Sequence, residues 1–197
     1  MSTKQQPHIM LSDRFITAVS YATTLHRNQV RKSTNIPYIC HPLGVASLLI
    51  EAGADEDQVI AGLLHDIAED CGGEARLADI KQMFGDRVEA IVRGCSDSLT
   101  ESEESKAPSV ERKRIHLAHL ETASQEVLTV TAADKLHNAR SIATDLEINR
   151  EILWDRFNLT QSEIISYYKS VYAILKKREI SPKLLKPLAT AIDAFNV

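Results

Sequence analysis

The sequence predicts an all-α fold, and three observations support this prediction. Apolar residues recur at spacings of three and four along most of the chain, as on the buried side of a helix. Residue types that begin and end helices border these segments. No window alternates apolar and polar residues over a useful length, as a half-buried strand would. The 197 residues contain no repeat or linker, so we expect one domain over residues 1–197.

The first two helices are predicted from their starting residues. Ser12 or Asp13 can cap a helix whose apolar residues continue to Leu25. A polar loop over residues 28–38 follows. Pro42 suits the first position of the next helix, because its missing N–H would have no partner there.

Glycine and aspartate divide the following segment into further helices. The second helix is expected to end at Gly53, and Asp55 or Asp57 can cap the third. The third helix is expected to continue without a break to residues 72–73. Two shorter helices are expected on either side of Gly85.

The second half of the chain is also predicted to be helical. Residues 97–109 are rich in Ser and Glu and predict an exposed loop, after which the helical pattern resumes at Glu111. Ser124 can cap a long helix. Apolar residues over 164–175 mark one face of a late helix, and Pro182 is expected to begin the last one.

Composition favours a soluble cytoplasmic domain. The formal net charge of −4 gives no basic surface for nucleic acid or an anionic membrane, and apolar runs such as residues 43–50 are too short to span a bilayer. The N-terminus lacks a signal-peptide pattern. Cys40, Cys71 and Cys95 form no CxxC motif and are expected to be reduced core residues. No feature predicts an oligomeric state.

The segment from His65 to Asp70 carries the strongest chemical signal. It follows an apolar run and reads His65-Asp66-x-x-Glu69-Asp70. On a helix, His65 and Glu69 share a face, as do Asp66 and Asp70. Burying these carboxylates unpaired would cost many kcal/mol. We therefore expect a divalent cation close to His65 and Asp66.

Three further sets of residues make this signal specific. They are His26-x-x-Gln29-x-Arg31-Lys32 with Pro37-Tyr38-Ile39-x-His41-Pro42, Cys95-Ser96-Asp97 with Glu111-Arg112-Lys113-Arg114, and Ala133-Asp134-Lys135-Leu136-His137-Asn138. Together with HDxxED they resemble the HD-domain phosphohydrolases, and within them the hydrolase domain of the Rel/Spo alarmone enzymes. The resemblance runs from about Phe15 to about Tyr172 and implies an HD-domain helical bundle. No room remains for the synthetase domain of the long enzymes, so a free-standing small alarmone hydrolase is expected.

The resemblance implies a metal site and a pair of catalytic carboxylates. The residues that match the family's four metal ligands are His41, His65, Asp66 and Asp134. This mixed set of nitrogen and oxygen donors suits one divalent ion, manganese or iron, with Mn²⁺ the first choice and other divalent ions as alternatives. Glu69 and Asp70 match the pair that orients and deprotonates the attacking water. The alternative for Glu69 and Asp70 is a solvated helix end.

The resemblance also implies a site for a purine nucleotide alarmone. The residues assigned to substrate binding are Arg31, Lys32, Tyr38 and Asn138. The alternative for Arg31 and Lys32 is a solvated loop. Weaker candidates are Lys135, Arg112, Arg114 and the pair Tyr167–Tyr168, of which Tyr168 could equally be a core residue. A supporting or packing role is predicted for His26 and His137, and surface positions for His8, His116 and His119.

The chain departs from the Rel/Spo pattern at Thr131, at residues 33–36 and at residues 95–97, all predicted to lie where the nucleotide is recognised. The expected activity is hydrolysis of the 3′-pyrophosphate of (p)ppGpp or (p)ppApp, which releases pyrophosphate and a nucleoside 5′-di- or triphosphate. Two alternatives remain open. One is an HD phosphomonoesterase acting on NADPH or a nucleotide monophosphate, and the other is a non-catalytic nucleotide sensor.

Overall fold

Helices form nearly all the regular structure of the computed structural model, which describes residues 10–96, 108–154 and 157–196. Within these ranges, extended backbone pairs at an isolated bridge between Val30 and Pro37. The all-α prediction is confirmed. The helices are α1 (Asp13–Leu25), α2 (Cys40–Ala52), α3 (Glu56–Leu64), α4 (Ile67–Cys71), α5 (Gly73–Phe84), α6 (Asp86–Cys95), α7 (Ser109–Leu120), α8 (Gln125–Leu153), α9 (Gln161–Lys177) and α10 (Pro182–Asp193), followed by a 3₁₀ turn (Ala194–Asn196).

Several helices begin where the sequence predicts. The side chains of Ser12, Asp55 and Ser124 accept backbone N–H groups of the first turns of α1, α3 and α8, and Pro182 is the first residue of α10. Helix α2 begins at Cys40, earlier than predicted. Turn hydrogen bonds after the loop already place the chain in a helical path before the proline.

The predicted third helix is interrupted, because α3 ends at Leu64 and α4 begins at Ile67. The Nδ1 atom of His65 lies 2.9 Å from the carbonyl oxygen of Gly62. In a continuous helix that carbonyl would accept the N–H of Asp66. The prediction of one uninterrupted helix is therefore wrong, and the ring of His65 gives a physical reason.

Helix α8 is the centre of the fold, since α2, α3, α6 and α10 all pack against it. Its apolar side is fully buried at Leu128 and Leu136, which share the core with Leu49, Leu63 and Phe195. Burial of each such side chain stabilises the fold by about 1.5–3 kcal/mol. This packing brings the first turn of α2, the junction of α3 and α4, and the middle of α8 together.

Some predictions about single residues need correction. His116 is buried rather than exposed, because its ring bonds to a buried tyrosine of α9. Cys40 is exposed rather than a core residue, whereas Cys71 and Cys95 pack against the core as predicted. His8 and residues 97–107 of the predicted loop lie outside the described residues. In the described part of the chain, every helix is too short or too polar to cross a membrane.

Candidate active site

Four side chains meet where α2, the α3–α4 junction and α8 come together. His65 Nε2 lies 3.1 Å from Asp66 Oδ2, and His41 Nε2 lies 3.3 Å from His65 Nε2. Asp134 Oδ1 lies 3.2 Å from His41 Nε2 and 3.8 Å from His65 Nε2. Ligands about 2.1 Å from one ion and at right angles are about 3 Å apart. The spacing therefore fits a divalent metal ion.

The rings of His41 and His65 are oriented so that the Nε2 atom of each can bind a metal ion. Because a carbonyl oxygen can only accept, His65 Nδ1 must carry the proton that bonds Gly62, which leaves Nε2 as a donor atom for a metal. His41 Nδ1 lies 2.9 Å from His137 Nδ1, so it can donate to His137 in the same way. Such bonds fix the rings of metal-binding histidines in proteins. The supporting role predicted for His137 agrees with this contact.

The electrostatics of the cluster also favour a cation. Burial acts to raise the pKa of Asp66 and Asp134, but neighbouring groups lower the pKa of both carboxyls well below the usual range. For Asp66 the main such group is His65, and for Asp134 it is Lys135, whose Nζ lies 2.7 Å from Oδ2. Conversely, these carboxylates outweigh burial and raise the pKa of His65 well above its usual value. The two ionised carboxylates therefore stabilise a positive charge at this place, which a bound metal ion would supply.

A chain of hydrogen bonds joins the predicted phosphate loop to the cluster. Asn138 Nδ2 donates to Asp134 Oδ1 at 2.6 Å, and Arg31 Nη2 donates to Asn138 Oδ1 at 2.7 Å. Lys32 Nζ reaches Asn158 Oδ1 at 3.3 Å. The structure thus brings both loop cations and Asn138 to one side of the metal-type cluster.

The Tyr38 hydroxyl donates to Asp66 Oδ2 at 2.5 Å. Burial, together with the charge of Asp66, raises the pKa of Tyr38 far above its usual value. Tyr38 is therefore neutral. Nucleotide binding is the only role predicted for Tyr38 from the sequence, and its hydrogen bond to Asp66 was not predicted. Its ring also lies beside the guanidinium of Arg31, 5.8 Å from the ring centre.

Glu69 and Asp70 follow the cluster on α4. Gln29 Nε2 donates to Asp70 Oδ2 at 2.8 Å, and Gln29 Oε1 lies 2.6 Å from His26 Nδ1. This contact agrees with the supporting role predicted for His26. Glu69 Oε1 lies 3.6 Å from Arg112 Nη1. Glu69 is partly buried, whereas Asp70 is exposed near the end of α4, so the solvated helix end stays an alternative for Asp70.

A cavity of about 760 Å³ opens beside the cluster. This volume falls in the range of about 300–1,000 Å³ typical of small-molecule sites. The cavity is strongly basic, with one acidic residue, Asp145, on its described wall. Its basic lining residues are Arg31, Lys32, Lys113, Lys135 and Arg140. Tyr167 and Phe157 add aromatic surface, so the cavity suits an anion with a flat apolar part.

The structure separates the weaker candidates. Arg112 approaches Glu69 and Lys113 lines the cavity, whereas Arg114 is exposed and pairs with Glu111. Sequence reasoning did not single out Lys113, because its helix has no strong apolar stripe that would define the inward side.

The departures from the Rel/Spo pattern divide into two groups. Thr34 and Ile36 line the cavity, as predicted for the nucleotide site. Thr131 is buried on α8, and its side chain lies close to the Cys95 thiol. Thr131 and Cys95 do not line the cavity, and a role of these two positions in nucleotide recognition stays a prediction.

Comparison with known proteins decides the family. A family model for the HD domain matches residues 18–178. The chain belongs to the HD-domain family. Divalent metal binding is a property of HD domains, and the cluster of His41, His65 and Asp66, whose donor atoms lie within 4.8 Å of one another, offers a site for it.

Relatives of two sizes are similar to this chain. The Xenopus tropicalis protein named guanosine-3′,5′-bis(diphosphate) 3′-pyrophosphohydrolase MESH1 is 38% identical over 128 residues, which are 64% of this chain and 67% of that protein. The Homo sapiens protein of the same name is 36% identical, over 66% of this chain and 69% of its own. A Streptomyces coelicolor GTP pyrophosphokinase is 39% identical over 64% of this chain, but the match spans only 14% of that longer protein.

Solved structures agree with this assignment. One, described as a metazoan ortholog of SpoT that hydrolyzes ppGpp and plays a role in starvation responses, superposes with a TM-score of 0.75 at 29% identity, over 94% of this chain and 97% of that chain. The lmo0812 protein of Listeria monocytogenes EGD-e superposes with a TM-score of 0.65 at 31% identity, over 78% of this chain and 96% of that chain.

Proposed function

We propose that this HD-domain protein hydrolyses the 3′-pyrophosphate of an alarmone nucleotide, (p)ppGpp or (p)ppApp, and releases pyrophosphate and a nucleoside 5′-di- or triphosphate. One observation carries the proposal: a metal-type cluster, two carboxylates and a basic cavity adjoin one another. The activity for which the MESH1 relatives and the SpoT ortholog are named supports the alarmone as substrate.

His41, His65, Asp66 and Asp134 would hold one divalent ion, which we propose to be Mn²⁺. Two imidazole nitrogens and two carboxylate oxygens form a mixed donor set suited to that ion. A bound ion of this kind lowers the pKa of water and polarises a phosphoryl oxygen. The convergent Nε2 and carboxylate oxygen atoms support this assignment.

Glu69 and Asp70 would orient the attacking water and accept its proton. The new bond forms between the water oxygen and the phosphorus attached to the ribose 3′ oxygen. The bond from that phosphorus to the 3′ oxygen breaks, and the 3′ oxygen takes up a proton. Pyrophosphate therefore leaves with the oxygen of the water. Asp70 is held for this role by Gln29.

Arg31 and Lys32 would bind phosphate oxygens, since forked and point cations neutralise them well. Asn138 and Tyr38 would complete the nucleotide site beside them. The basic lining of the cavity supports a polyanionic substrate. The cytoplasmic location and the lack of nucleic-acid or membrane partners stay predictions.

A substrate panel tests the proposal. The purified chain, loaded with Mn²⁺, would be incubated with ppGpp, ppApp, NADPH and nucleotide monophosphates, and the products would be separated by ion exchange. We expect pyrophosphate from an alarmone, and none from the isosteric control Asp134→Asn. Orthophosphate from NADPH or a monophosphate would identify a phosphomonoesterase. Alarmone binding without any product would identify a sensor.

A further inference from the structure

Helix α7 brings two consecutive cations to the border between α4 and the cavity. Arg112 Nη1 lies 3.6 Å from Glu69 Oε1. Lys113 lines the cavity, and its Nζ lies 4.3 Å from the centre of the Tyr167 ring. Neighbouring residues of a helix point about 100° apart. One turn of α7 therefore presents one cation to the carboxylates of α4 and the other to the cavity.

A buried hydrogen bond fixes the position of this turn. His116 lies one turn after Arg112 and Lys113, and its Nδ1 is 2.9 Å from the Tyr167 hydroxyl. Both rings are buried. The place of the two cations is thus set by packing of α7 on α9, rather than by the reach of two long side chains alone.

The guanidinium of Arg112 has unused hydrogen-bonding capacity. Its Nε atom is buried and has no hydrogen-bond partner among the residues that the structure describes. The 3.6 Å approach to Glu69 is longer than a hydrogen bond. A buried donor without a partner costs about 1–3 kcal/mol, which points to an acceptor that arrives with a ligand. A phosphate group is an acceptor that matches the guanidinium fork.

We propose that Arg112 and Lys113 bind the pyrophosphoryl group that is transferred to water, with Arg112 at the attacked phosphate and Lys113 at the terminal phosphate. The inference rests on the proposed function. Glu69 accepts the proton of the attacking water there, so the attacked phosphorus lies close to Glu69 and hence to Arg112. Charge that develops on the oxygens of this phosphate during bond exchange faces the guanidinium. Lys113 extends the same contact into the cavity.

Inorganic pyrophosphate is the probe for this subsite. Its binding to the Mn²⁺-loaded protein would be measured by calorimetry at fixed free Mn²⁺, in the parent, Arg112→Ala, Lys113→Ala and Arg114→Ala. Removal of one charge-assisted contact should weaken pyrophosphate binding about 10- to 100-fold in Arg112→Ala and in Lys113→Ala. The exposed control Arg114→Ala should bind as the parent does.

Turnover separates the two roles. Arg112→Ala should lower kcat about 10²- to 10³-fold, as loss of a transition-state donor does, and Arg112→Lys should recover little of it because an ammonium cannot form the fork. Added methylguanidine should restore part of the activity of Arg112→Ala. Lys113→Ala should mainly raise KM. Should Arg112→Ala fail to fold, Arg112→Lys provides the same comparison.

Two results have different meanings. Equal pyrophosphate affinity in the parent, Arg112→Ala and Lys113→Ala would overturn the subsite. If the parent binds pyrophosphate through these two residues but releases none from any alarmone, the proposed substrate is wrong and the pyrophosphate subsite is supported.

Discussion

Replacement of Gly44 by alanine tests how the metal-type cluster is supported. Gly44 lies on α2, and a Cβ atom there would be 2.2 Å from Cδ2 and 2.3 Å from Nε2 of His137. Carbon atoms in contact need about 3.5 Å, so the His137 ring must retreat by more than about 1 Å. The 2.9 Å contact between His137 Nδ1 and His41 Nδ1 would then be lost.

The size of the effect follows from this contact. Loss of a hydrogen bond that orients a metal-binding histidine costs about 10- to 100-fold in metal affinity. The free energy of unfolding changes less, because alanine in a helix gains about 1 kcal/mol over glycine, while overpacking costs about 1–3 kcal/mol. We therefore expect a clear loss of Mn²⁺ affinity with a net destabilisation of about 0–2 kcal/mol.

Calorimetry with Mn²⁺ and thermal unfolding of the metal-free protein would measure the two quantities. The double variant Gly44→Ala/His137→Ala is the matched control, because it removes the clash. It should be more stable than His137→Ala by about 1 kcal/mol. Unchanged Mn²⁺ affinity in Gly44→Ala would refute the support of His41 by His137.

The remaining predictions concern single site residues. Asp134→Ala should lower metal content and activity together, because an ionised oxygen donor is lost; full metal content by elemental analysis would contradict its assignment as a ligand. Glu69→Gln should keep its metal and lower kcat about 10²- to 10⁴-fold, measured by pyrophosphate release; turnover at the parent rate would exclude Glu69 as the base. Lys32→Ala should weaken alarmone binding by roughly 1.5–3 kcal/mol without metal loss, and an unchanged KM would assign Lys32 to a solvated loop. Burial raises the pKa of Cys95 to about 12, which suppresses the reactive thiolate at pH 8, so iodoacetamide should label exposed Cys40 and spare Cys95; equal labelling, detected by peptide mass spectrometry, would contradict that burial.

Local chemistry made much of the fold predictable. Ser12, Asp55 and Ser124 cap helices in the structure because their side-chain oxygens satisfy N–H groups of the next two or three residues. Such bonds depend on a few neighbouring residues. The pairing of His65 with Asp66 near a helix end was also visible, since both belong to one short motif.

Features that depend on distant segments were not predictable in this way. The interruption after Leu64 arises from a side chain bonding Gly62, and periodicity does not report such a contact. His116 is buried because its ring forms a hydrogen bond with Tyr167, which is far away in the sequence. The cavity wall along α8 and the inward position of Lys113 depend on how whole helices pack.

The hydrogen-bond chain from Arg31 through Asn138 to Asp134 has a thermodynamic consequence. A phosphate ligand that binds Arg31 would weaken the hydrogen bond from Arg31 to Asn138. This would change the strength of the hydrogen bond from Asn138 to Asp134, and with it the basicity of the Asp134 carboxylate, a proposed metal ligand. Binding free energies obey linkage, so the factor by which the ligand alters metal affinity equals the factor by which the metal alters ligand affinity. Occupancy of the two sites would then be coupled, so the free metal concentration would change the concentration at which a phosphate ligand half-saturates the protein.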